Sequence, residues 1–132
     1  MGSVPAVTLA PGLTATVALT VVAADLAPAY RSGDVPVLAT PRLVALCEEA
    51  TVAAVAGHLA EGETTVGTRV EVDHLAASMV GAVVQAMAVL EEVAGRRLGF
   101  AVTIRRGERV LARGHIERVV VDRSRFLERL EA

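Results

Sequence analysis

The sequence predicts an α+β domain in which an antiparallel sheet of about five strands wraps around one long central helix. Three features lead there. Several segments alternate apolar and polar residues with a period of two, as half-buried strands do. One segment after Thr40-Pro41 is apolar around nearly its whole circumference, as a helix covered on most sides would be. The last four strand segments are joined by short connections, which favour antiparallel pairing. A chain of 132 residues suits one domain spanning 1–132 with one core.

The elements follow in order. Residues 13–24 place Leu13, Ala15, Val17, Leu19 and Val21 on one face and Thr14, Thr16 and Thr20 on the other, which is a strand. Pro28, Ser32-Gly33-Asp34 and Pro36 mark a loop. Thr40 is the expected N-cap of the helix and Pro41 its first helical residue. Gly57 and Gly62 set its end near His58. In so short a chain, only a sheet curling around this helix could cover it.

Next, Val66, Thr68, Val70, Val72 and His74 share one strand face, with Arg69, Glu71 and Asp73 on the other. Residues 79–90 are apolar on both faces, so this strand is expected to carry a second covering layer, as at a dimer interface. Leu98, Phe100, Val102 and Ile104 alternate in the next strand, and Arg106-Gly107-Glu108 forms a hairpin turn into a strand at about 109–121. Residues 123–130 are expected to form a short charged helix. Strand, long helix, then four strands is the order of the hot-dog architecture.

Composition narrows the function. Hydrophobic residues make up 53% of the chain and charged ones 21%, which excludes a disordered chain. With two Phe, one Tyr and no Trp, the core must be aliphatic. A net charge of -2 argues against a general nucleic-acid binder. All 13 basic side chains are Arg, from which no function follows. Cys47 alone can form neither an internal disulfide nor a cysteine-based zinc site, and its neighbours Leu43, Leu46 and Ala50 make it a buried thiol.

The apolar run at 13–26 is broken by Thr14, Thr16, Thr20 and Asp25, too short and too polar to span a bilayer. No basic residue precedes Arg31, so a signal peptide is not expected. Met1-Gly2-Ser3 reads as an appended start. The default location is cytoplasmic.

The candidate chemistry lies on the helix and the strand after it. Glu48 has Val44, Val52 and Val55 at helical spacings, which places its carboxylate among valines, where burial would raise its pKa toward acid–base or nucleophilic use. The alternative is a solvated helix edge. Glu49 has Arg42 seven residues back and an easier route to solvent or an ion pair. His74 shares a face with Val66, Val70 and Val72, so it points at the helix if they do; alone it could equally be a satisfied core histidine. Thr40 caps the helix and lies at the positive end of its dipole, where an oxyanion is favoured. His58 and His115 read as solvated, and three separated histidines make no metal site. No phosphate loop, Gly-x-Ser-x-Gly elbow or His-Glu-x-x-His pattern is present.

Ala39-Thr40, Glu48 eight residues later, Gly67-Thr68, His74 with Ala76-Ala77, Gly95-Arg96-Arg97-Leu98 and Glu117-Arg118 together resemble the fluoroacetyl-CoA thioesterase family of hot-dog enzymes. The likeness covers about residues 37–127. The resemblance implies a homodimeric hydrolase of small acyl-CoA thioesters, with CoA only as part of the substrate and no metal or organic cofactor. It implies that Thr40, Glu48 and His74 are the catalytic trio, with Glu48 as nucleophile or as base for water. Gly67 would contact the thioester carbonyl, and Arg118 matches a family arginine at the substrate site.

The family's lid segment before the threonine carries phenylalanines. Here residues 32–38 are shorter and hold none, so a different or broader acyl group than fluoroacetyl is expected. Ser78-Met79 also stands where the family is proline-rich. Other functions of such a domain are a non-catalytic acyl-CoA or small-ligand binding dimer, a purely structural dimer, and a dehydratase or hydratase on the same fold.

Overall fold

The structure, a computed structural model, describes residues 9–130. The Met1-Gly2-Ser3 start lies outside the described residues. Five strands form one sheet: β1 (Thr14–Thr20), β2 (Glu63–His74), β3 (Val83–Ala94), β4 (Arg97–Arg106) and β5 (Arg109–Asp122), in spatial order β1-β3-β4-β5-β2. All pairings are antiparallel. Two hairpins tie the centre together, turning at Gly95-Arg96 and Gly107-Glu108. Each glycine takes a positive φ, 61° and 59°, as tight hairpins require. A short helix, α1 (Ala27–Tyr30), occupies part of the expected loop, and α3 (Arg123–Arg129) closes the chain.

The long helix is α2 (Thr40–Val55). Leu43, Leu46, Cys47, Ala50 and Ala54 recur at three- and four-residue spacing along its inner face, the helical period of a core-facing stripe. They pack with Val84, Ala86, Ala88 and Leu90 of β3 and Leu98, Phe100, Val102 and Ile104 of β4, all essentially buried. Each buried Leu contributes about 1.5–3 kcal/mol relative to leaving it exposed.

The helix packs against β1, β2, β3 and β4 and reaches β5 through Glu48 and Arg118, yet Pro41, Ala45, Glu49 and Val52 remain exposed. Its all-round apolar character therefore reflects small and half-covered residues on an open outer side. It ends at Val55, three residues before His58, where Gly57 turns the chain at a φ of 81°.

Two expectations about strands need correction. The doubly apolar segment at 79–90 is displaced: β3 begins at Val83 and lies inside the sheet between β1 and β4, so its backbone offers no free edge. Its alternation is ordinary, with Val84, Ala86, Ala88 and Leu90 inward and Val83, Gln85 and Met87 outward. The free edges belong to β1 and β2.

In β2, the face shared by Val66 and His74 is broken by a bulge. Gly67 pairs with Arg118 and Arg69 with Glu117, so Thr68 is the extra residue, its hydroxyl donating to the Glu117 carbonyl at 3.2 Å. One inserted residue reverses the alternation. Thr65 and Gly67 pair with Val120 and Arg118, and Val70, Val72 and His74 pair with Ile116, Gly114 and Ala112, all on the helix side of β5. Val66 pairs with Val119 on the other face.

No helix among the described residues is long and apolar enough to cross a membrane.

Candidate active site

The bulge determines what the helix meets. Below it, β2 presents Thr65 and Gly67; above it, His74. The helix presents Thr40 at its first position and Glu48 two turns further on.

Thr40 is not the N-cap. Ala39 takes the extended cap conformation, and Thr40 begins the helix with Pro41 behind it. Its hydroxyl is thereby free of capping and lies 2.8 Å from His74 Nδ1. The other imidazole nitrogen, Nε2, is buried without a hydrogen-bond partner among the described residues. Buried polar atoms are rarely left so.

Thr40 and His74 line one wall of a pocket of about 360 Å³. The opposite wall is the segment at 32–38, with Val35, Val37 and Leu38, and Ala76 and Ala77 close its side. The residues expected to form the lid do border this pocket. The wall is mostly aliphatic; Asp34 and His74 are its ionisable members.

Glu48 is neither dry nor free. Its side chain is 38% exposed, and Oε2 accepts from Arg118 Nη1 at 3.3 Å. Arg118 is buried; its Nε donates to Thr65 Oγ1 at 2.8 Å and its Nη2 to the Thr65 carbonyl at 3.1 Å. Burial lowers the Arg118 pKa from the usual guanidinium range, while the charge and hydrogen bond of Glu48 oppose that shift.

Gly67 completes the cluster. A Cβ there would lie 2.8 Å from Glu48 Oε2 and 3.4 Å from Arg118 Nη1, so glycine lets the carboxylate lie against the strand. The preceding helix residue, Cys47, is a buried thiol pushed up to about 12 by burial and then by the Glu48 charge, which removes it from nucleophilic chemistry. Arg42, the expected partner of Glu49, instead pairs with Asp25 at 3.1 Å, and Glu49 stays exposed.

The expected site residues thus form two groups within the chain: Thr40 with His74, and Glu48 with Gly67 and Arg118. Thr40 and Glu48 are separated by roughly 12 Å along the helix axis, from eight residues at 1.5 Å each. Gly67 and His74 are separated by roughly 23 Å along β2. His58 and His115 join neither group; His115 lies on the outer face 3.8 Å from Glu91. Among the described residues no group of three His, Cys, Asp or Glu side chains could hold a metal. Thr65, which anchors Arg118, was not foreseen. Its signal was Arg118 itself, an arginine placed between Ile116 and Val120 on the inward side of β5.

Comparison with known proteins agrees with this frame. The chain is 39% identical over 90 residues to a fluoroacetyl-CoA thioesterase of Streptantibioticus cattleyicolor, a match covering 68% of this chain and 65% of that protein. The solved structure of the fluoroacetyl-CoA thioesterase FlK superposes with a TM-score of 0.86 at 31% identity, covering 94% of this chain and 96% of that one. A thioesterase-superfamily protein of Thermus thermophilus superposes with a TM-score of 0.85 at 26% identity, covering 94% of each chain. These likenesses fix the fold as hot-dog. The family model described as FlK, fluoroacetyl-CoA-specific thioesterase, matches residues 21–124, and the chain belongs to that family.

Proposed function

We propose that this chain is a cytoplasmic acyl-CoA thioesterase that hydrolyses a small acyl-CoA to the free acid and CoA. It would act as a homodimer and without a metal or organic cofactor. The observation that carries this reading is the Thr40–His74 hydrogen bond at the wall of a largely aliphatic pocket, with His74 Nε2 buried and unpartnered.

The separation of the two groups supports the homodimer. β2 is a free edge, and an unpaired edge strand invites pairing with another chain. Antiparallel pairing of two β2 edges about the Val70–Glu71 stretch would lay Gly67 and Glu48 of one copy alongside His74 and Thr40 of the other. It would also set Arg69 against the acidic Glu71 and Asp73 of the second copy, a complementary arrangement.

At such a composite site, Glu48, oriented by Arg118, takes a proton from water as the water oxygen bonds to the thioester carbon. In the tautomer whose Nδ1 accepts from the Thr40 hydroxyl, His74 Nε2 carries a hydrogen. That hydrogen, together with the Gly67 backbone, stabilises the carbonyl oxyanion. The C–S bond then breaks, and the proton held by Glu48 passes to the departing thiolate. The pocket by residues 32–38 takes the acyl group. With no phenylalanine in that wall, an acyl preference broader than fluoroacetyl is expected.

The test is thiol release from a panel of small acyl-CoAs, with Glu48→Gln as control. The wild type should release CoA, and the folded variant should lose at least about 10³-fold in rate, the scale of removing an essential base. Ligand-induced stabilisation without turnover would instead show a binding module, and full activity of Glu48→Gln would remove that residue from the mechanism.

A further inference from the structure

The pocket at Thr40 and His74 is not uniformly apolar. Its aliphatic lining is interrupted on the far wall by Ser32 and Asp34. No arginine lines it, although the chain carries 13 basic side chains. Among the described residues, Asp34 makes no ion pair, and neighbouring Arg31 makes none either. The pocket therefore holds one carboxylate and no fixed cation.

Asp34 is exposed, yet its loop is tied down. The Ala27 N–H donates to the Val37 carbonyl at 2.8 Å, and the Ser32 N–H to the Ala27 carbonyl at 3.1 Å. Leu38 pairs with Leu26, and its N–H donates to the Ser78 carbonyl at 2.8 Å. Gly33 packs on Ala27, where an added Cβ would lie 3.5 Å from the alanine methyl. A folded segment thus carries the Asp34 carboxylate to the pocket wall.

An acyl chain reaching into this pocket from Thr40 and His74 crosses the aliphatic lining toward Ser32 and Asp34. A carboxylate accepts hydrogen bonds and donates none, so it would hold a terminal hydroxyl or ammonium. A terminal carboxylate would meet a like charge with no cation to offset it. His74 supplies no offset, being neutral in the tautomer that accepts from the Thr40 hydroxyl. We infer that Asp34 selects the acyl group: the pocket takes a short aliphatic chain ending in a hydroxyl or ammonium and disfavours one ending in a carboxylate. The inference rests on the thioesterase reading for the identity of the ester. Because Asp34 is exposed, the selection should be about fivefold, the scale of a solvated ion pair.

The test uses CoA esters of similar length: butyryl, 3-hydroxypropionyl, β-alanyl and malonyl. These esters differ in intrinsic reactivity, so the readout is how Asp34→Asn, which keeps the shape and removes the charge, alters the ratios of kcat/KM. The β-alanyl-to-butyryl ratio should fall about fivefold in the variant, and the malonyl-to-butyryl ratio should rise by a similar factor. The 3-hydroxypropionyl ratio should change less, since the asparagine amide oxygen still accepts a hydrogen bond. Ratios that stay as in the wild type, equal losses on every ester included, would overturn the inference.

Calorimetry reads the same selection without turnover, on CoA analogues whose thioester sulfur is replaced by NH. The β-alanyl analogue should bind the wild type about fivefold more tightly than the butyryl analogue, and this preference should vanish in Asp34→Asn. Equal binding of the two by the wild type would overturn the inference. If the preference is seen and no ester is hydrolysed, the selection stands and the thioesterase reading falls.

Discussion

Gly67→Ala separates the chemistry of the site from the stability of the fold. The added Cβ would stand 2.8 Å from Glu48 Oε2, so the carboxylate must retreat roughly half an ångström to regain ordinary contact. That retreat lengthens the 3.3 Å bond to Arg118 beyond useful hydrogen-bond range. The obstacle is the far end of a flexible side chain, and Gly67 has no positive φ, so the backbone need not move. Alanine also restricts the unfolded chain more than glycine, which offsets part of any strain.

Misplacing a reacting group by 1 Å costs about 10²-fold in rate; half that distance should cost about 10-fold, or roughly 1.4 kcal/mol of barrier. Steady-state thiol release should show that loss in kcat/KM, while thermal unfolding shifts by only a few degrees. A variant retaining most of its activity would refute the placement of Glu48 against Gly67. One that fails to fold would refute the claim that only a side-chain tip is in the way.

Three other outcomes follow from the same contacts. Arg118→Met should destabilise the protein by roughly 1–3 kcal/mol in urea unfolding, because it orphans the Thr65 carbonyl and Glu48; the figure lies below that of a fully buried pair since Glu48 is partly solvated. Gly114→Ala should cost more than about 3 kcal/mol or prevent folding, because a Cβ there would overlap the Glu71 carbonyl and lie 2.7 Å from Val72 Cα; near-wild-type stability would contradict the β2–β5 spacing. Cys47, raised from 9.0 to about 12, should resist alkylation until the protein unfolds. Its folded-state pKa is raised, so its contribution to stability is complete below about pH 9 and is lost as pH climbs toward 12. Rapid alkylation of the native protein at pH 8 would contradict its burial.

Much of this fold was legible in the chain. The alternation of Leu98, Phe100, Val102 and Ile104 places β4, and Thr40-Pro41 places the start of α2 within a residue, although its end falls three residues before His58. Strand periodicity fails at Thr68, because a bulge is set by how β2 meets β5 and leaves no trace in β2 alone. It also cannot show which strand lies at the edge, so the apolar run at 79–90 drew attention from β2. Thr40, Glu48, Gly67, His74 and Arg118 were all visible as candidates. Their division into two groups was not, since helix position gives a residue's face but not what the sheet brings to it.

The composite site is tested most directly by mixing two single variants. Glu48→Gln and His74→Ala should each be nearly inactive alone. After co-refolding in equal amounts, half the dimers are mixed and each has one intact site, so thiol release should recover to about a quarter of wild type. Activity that stays at the level of the separate variants would contradict a site shared between subunits.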